Sequence, residues 1–72
     1  MRTYHVRYRL WMCGEVKGID VPASNKEDAY SRAVYERIPE TDGEMPYSAW
    51  VASVTYQNGG YRAFNTFEGQ PF

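Results

Sequence analysis

The sequence predicts an α+β domain of ββαββ order: a four-stranded antiparallel sheet, strand order 2-1-3-4, with one helix packed on one face. Three observations predict it. Two stretches alternate apolar and polar side chains with a period of two, and each runs into a turn signal, Cys13-Gly14 in one case and Asn58-Gly59 in the other. Between them a capping sequence opens an apolar stripe at helical spacing. The expected strands span about 3–12, 15–22, 48–57 and 60–67, and the helix about 25–38. At 72 residues the chain makes a single small domain.

In the first strand Tyr4, Val6, Tyr8, Leu10 and Met12 share one face, with Thr3, His5, Arg7, Arg9 and Trp11 on the other. A two-residue turn at Cys13-Gly14 sets Tyr8 opposite Ile19, Val6 opposite Val21, Tyr4 opposite Ala23 and Arg7 opposite Asp20. Its cost is Leu10 opposite Lys17. Residues 24–27, Ser-Asn-Lys-Glu, form a capping box. Ala29, Tyr30, Ala33, Val34 and Ile38 then make the apolar stripe, Asp28 and Arg32 pair at i,i+4, and Tyr35 falls outside the stripe. Pro39 disfavours helical geometry at Ile38, which ends the helix there and leaves residues 39–47 as a polar loop.

The third strand puts Trp50, Ala52, Val54 and Tyr56 on one face and Val51, Ser53 and Thr55 on the other. A two-residue turn at Asn58-Gly59 pairs Val54 with Ala63, whereas a three-residue turn pairs Val54 with Phe64; the shorter turn is preferred. Placing the third strand beside the first by a right-handed crossover gives the order 2-1-3-4. Residues 68–72 are a short tail.

Composition excludes several classes of function. One cysteine, Cys13, forbids an internal disulfide and fits a reducing cytosol. With His5 as the one histidine, the chain lacks the ligands of a zinc site. Glu40, Asp42 and Glu44 surround Gly43 without the spacing of a calcium loop, and Gly59-Gly60 opens no helix that would hold a phosphate. No apolar run approaches the ~18 residues of a membrane helix, and Arg2, Arg7 and Arg9 interrupt any signal peptide. The expectation is a cytoplasmic protein with no metal, cofactor or membrane partner. His5 sits on the polar face of a strand among Arg residues with no Ser or Cys partner that the sequence places beside it, so no enzyme is expected.

What stands out is aromatic content: seven Tyr, two Trp and three Phe. At ~150–250 Å² each, they exceed what one helix on one sheet face absorbs, so some must lie on the surface. The sheet face away from the helix is expected to show Arg7, Arg9, Trp11, Arg62 and Phe64, residue types enriched at interface centres. The favoured reading is a non-enzymatic interaction module that binds a protein or a second copy of itself. The alternative is single-stranded nucleic acid on Arg7, Arg9, Trp11 and Arg62, by stacking and phosphate contacts. Against it stand a net charge of −1 and the pairing of Arg7 with Asp20. In size, and in the order of a strand-rich N-terminus and a capped helix over residues 24–33, the chain resembles the short accessory proteins of phages and conjugative elements. That resemblance implies a small protein that regulates or inhibits a larger one.

Overall fold

Four strands, β1 (Arg2–Arg9), β2 (Lys17–Ala23), β3 (Ser48–Thr55) and β4 (Tyr61–Ala63), form one antiparallel sheet in a computed structural model that describes residues 2–72. Their order is β2-β1-β3-β4, and a single helix, α1 (Lys26–Asp42), lies across one face, as the sequence predicts. The core between them holds Tyr4, Val6 and Tyr8 of β1, Val21 and Ala23 of β2, Ala29, Ala33, Val34 and Ile38 of α1, and Ala49, Val51 and Val54 of β3.

The helix departs from expectation at both ends. Its N-cap is Asn25, one residue later than expected, whose side chain accepts from the Asp28 N–H at 2.8 Å. Asp28 reaches back past the cap to accept from the N–H of Ser24, the residue before it, and pairs with Arg32. Nor does Pro39 stop the helix. Regular α-helix runs over Lys26–Arg32, a π turn over Ala33–Arg37, and α-helix again over Ile38–Asp42. Proline lacks an N–H and its ring crowds the carbonyl one turn earlier; widening that turn, with the Ile38 N–H on Ala33 C=O, relieves both. Gly43, at φ 80°, then caps the C-terminus through its N–H to Pro39 C=O.

Both hairpins take another register. β1 pairs Tyr8 with Lys17, Val6 with Ile19 and His5 with Asp20, two residues from the two-residue-turn pairing. A shift of two keeps every side chain on its face, so the core is as expected while the cross-strand partners change. Asp20 thereby meets His5 at 2.9 Å instead of Arg7. The Leu10–Lys17 mismatch disappears, because residues 10–16 leave the ladder as a loop closed by the Gly14 N–H on Trp11 C=O. At the second hairpin Val54 faces Arg62 and Thr55 faces Tyr61. The turn is a three-residue loop one position earlier than the longer alternative: the Gly59 N–H donates to Tyr56 C=O, the Tyr56 N–H to Gly60 C=O, and Gly59 sits at φ 91°.

A β-bulge in β3 changes which residues face the helix. His5 pairs with Ser53 but Val6 with Val51, leaving Ala52 as the extra residue. From there toward the start of β3 the two faces exchange. Val51 is fully buried under the helix, and Trp50, expected beside Val54, lies opposite Arg7 on the other face. Ala49 and Val51 thereby join Ala29, Ala33, Val34 and Ile38 in the core cluster, and the Trp50 indole does not.

Candidate interaction surface

The five residues expected on one open face are divided by this geometry. Arg7 is exposed on the face away from the helix, opposite Gly18 and Trp50. Arg9 shares that face, half-buried. Arg62 and Phe64 lie on the helix side instead, because the earlier turn puts Arg62 opposite Val54 and brings the Phe64 ring against Tyr4 at 6.5 Å. Trp11 has left the strand and stands 62% exposed in the loop after β1. Nor is the outer face an open aromatic platform: Trp50 is only 8% exposed and Ser53 is buried.

The end of the sheet gathers more than its face does. Three segments meet there: residues 10–16 after β1, residues 43–47 before β3, and residues 64–72 after β4. Arg9 ties them together. Its guanidinium donates to Gly14 C=O in the first and, at 3.1 Å, to the Glu68 carboxylate in the third, while its own C=O accepts from the Tyr47 N–H in the second at 2.8 Å. Glu68 also accepts from the Ser48 hydroxyl at 2.6 Å; that bond first, and Arg9 second, holds its carboxyl below the usual range. Further along the third segment the Thr66 hydroxyl donates to Val51 C=O, the Val51 N–H to Pro71 C=O, and Phe72 meets Tyr30 edge-on at 5.5 Å.

On these pinned segments Trp11, Met12, Met45, Tyr47 and Phe67 are each more than half exposed. A cleft of about 110 Å³ opens beside Trp11, between it and Leu10, Gly14, Glu15 and Lys17. Of the five, only Trp11 belonged to the face expected from the sequence. The aromatic excess foretold exposed rings, but not that three loops would collect them.

Beneath this end, on the helix side, Asp42 takes two bonds: one from the Tyr8 hydroxyl at 2.6 Å and one from the Lys17 ammonium at 2.7 Å. Burial, and next the hydrogen bond to Asp42, push the Tyr8 hydroxyl up to about 12. Lys17, and after it Tyr8, hold the Asp42 carboxyl below its ordinary value. Asp42 is thus no loop acid but a strut between helix and sheet. The signal that could have found it is Gly43, a helix-ending glycine directly after it. His5 pairs with Asp20 at the surface, Cys13 is exposed, and among the described residues no group of three or more His, Cys, Asp or Glu side chains is placed to hold a metal. No helix among them is long and apolar enough to cross a membrane. Comparison with protein families, with curated proteins and with solved structures finds nothing that matches this chain.

Proposed function

We propose that this chain is a non-enzymatic protein-interaction module, engaging its partner through the apolar end of the sheet around Arg9. One observation carries the reading: five large apolar side chains stand in solvent on three loops that a single arginine holds in place. Apolar patches of this kind are unusual on small monomers unless they meet something. Trp, Tyr, Phe and Met are also the types concentrated at interface centres. Because the loops are tied to β1 and β3 before any partner arrives, little ordering remains to oppose binding. A small module of this kind suits the regulation or inhibition of a larger protein in a reducing cytoplasm. Single-stranded nucleic acid is disfavoured: Arg9 is engaged by Glu68, Trp50 is buried, and Arg62 and Phe64 lie on the other side of the sheet.

Site-specific photo-crosslinking in the expressing cell tests this. A photoreactive phenylalanine analogue at position 11 should give a discrete protein adduct, with a second copy or another protein. The same analogue at Tyr35, equally exposed on the helix, should give none. Absence of an adduct from position 11, or matching adducts from both positions, would refute the reading.

A further inference from the structure

We infer that the surface around Arg9 selects a cationic partner: an apolar protein segment flanked by Lys or Arg. This rests on the interaction module proposed above and supplies the chemistry of its ligand. Residues 10–16, 43–47 and 64–72 contain three carboxylates, Glu15, Glu44 and Glu68, and no Lys, Arg or His. The cations at their roots are already engaged, Arg9 by Glu68 at 3.1 Å and Lys17 by Asp42 at 2.7 Å. Glu15 and Glu44 are exposed and, among the described residues, make no ion pair. Arg7, which makes no ion pair among the described residues, lies on the sheet face two residues before Arg9. An apolar centre with a negative rim is complemented by an apolar segment with a positive one.

The chain's own surface is a poor candidate for that role. Its opposite end does carry Arg2, Lys26 and Arg62, with Arg2 over the Tyr56 ring and Lys26 over the Phe64 ring. However, Glu27 stands beside Lys26 in the first turn of the helix, while Asp28 is taken by Arg32, so head-to-tail packing would set the Glu27 carboxylate against Glu15 and Glu44. A two-fold pairing of the acidic end with itself sets carboxylates together. The two-fold arrangement juxtaposes like charges outright and the head-to-tail one does so at Glu27, which disfavours self-association relative to a partner with no carboxylate at its contact.

Fluorescence anisotropy with two labelled amphipathic helical peptides, one of Leu and Lys and one of Leu and Glu, tests the inference on the full chain. The Leu/Lys peptide should bind, more weakly as salt rises, and the Leu/Glu peptide should not. Glu15→Lys with Glu44→Lys should weaken binding by about tenfold, and Trp11→Ala should weaken it too. Glu27→Lys at the far end should leave it unchanged. Equal binding of both peptides, no binding of either, indifference to the Glu15 and Glu44 reversals, or self-association through Trp11 seen by light scattering would each overturn the inference. An adduct from position 11 without Leu/Lys binding removes the charge selection alone, whereas loss of the adduct removes the interaction module itself.

Discussion

The hydroxyl of Tyr8 donates to a carboxylate 34 positions away, and that bond fastens the last turn of the helix to the central strand. Its titration gives the bond a measurable signature. An unfolded tyrosine ionises near ~10, while burial, followed by Asp42, pushes Tyr8 up to about 12. The folded state therefore keeps a proton that the unfolded chain gives up. The stabilisation from this group is complete below the unfolded value and is lost as pH rises through the folded one. Asp42 has the opposite sense: with its folded value lowered, its contribution is present at neutral pH and disappears on acidification. Tyr8→Phe should lower stability by about 1–2 kcal/mol at pH 7. It should also reduce the alkaline decline expected of the wild type above pH ~10, leaving the part that Lys17 contributes through its bond to Asp42. Urea unfolding of both proteins between neutral and alkaline pH measures this, and an identical slope in the two would show that the Tyr8 proton is not held by folding.

Single backbone features reshape the elements. The π turn lets the helix pass through Pro39, and the bulge at Ala52 lets β3 present Val51 to the helix and Trp50 to the other face. Neither leaves a mark in the apolar pattern, since a stripe of Ala29, Ala33, Val34 and Ile38 looks the same whether one turn is widened or not. Gly43 is the residue at which the helix end can be tested. A Cβ there would meet nothing within 4 Å, so the φ of 80° is the whole obstacle to a side chain. Gly43→Ala should destabilise the protein by about 1 kcal/mol, the usual penalty of left-handed backbone for an L-residue. Denaturant unfolding reads this directly, and an unchanged midpoint would mean that the helix does not end in the left-handed cap.

At the scale of the whole molecule, the two tryptophans divide into different roles. Trp50 is sequestered on the outer face and Trp11 stands in solvent at the apolar end. Acrylamide should quench the Trp11 emission and spare that of Trp50. Trp11→Ala should then remove the quenchable component while changing stability by no more than about 0.5 kcal/mol, as expected of an exposed loop side chain. Uniform quenching of both would show that Trp50 is not covered on the outer face. A molecule this small gains little from displaying apolar side chains to water, and the exposed carboxylates Glu15 and Glu44 on the same segments give the surface a sign as well as an area.

The sequence by itself determined the class of fold, the strand order and most of the core. Period-two alternation in β1 and the helical stripe are local patterns, and a register shift of two residues leaves both intact. It also determined that twelve aromatic side chains could not all be buried: Trp11, Tyr35, Tyr47, Tyr61, Phe67 and Phe72 are exposed. Only the tertiary structure decided which residues stand together. Alternation counts residues one at a time, so an extra residue at Ala52 reverses Val51 and Trp50 without warning. Turn chemistry names Asn58-Gly59 but not which residue takes the left-handed position, and that choice sends Arg62 and Phe64 to the helix side. The site itself depends on Arg9 reaching Gly14, Tyr47 and Glu68 at once, contacts between segments distant along the chain. Such contacts form only when the sheet closes, because nothing local in the sequence sets the distance between them.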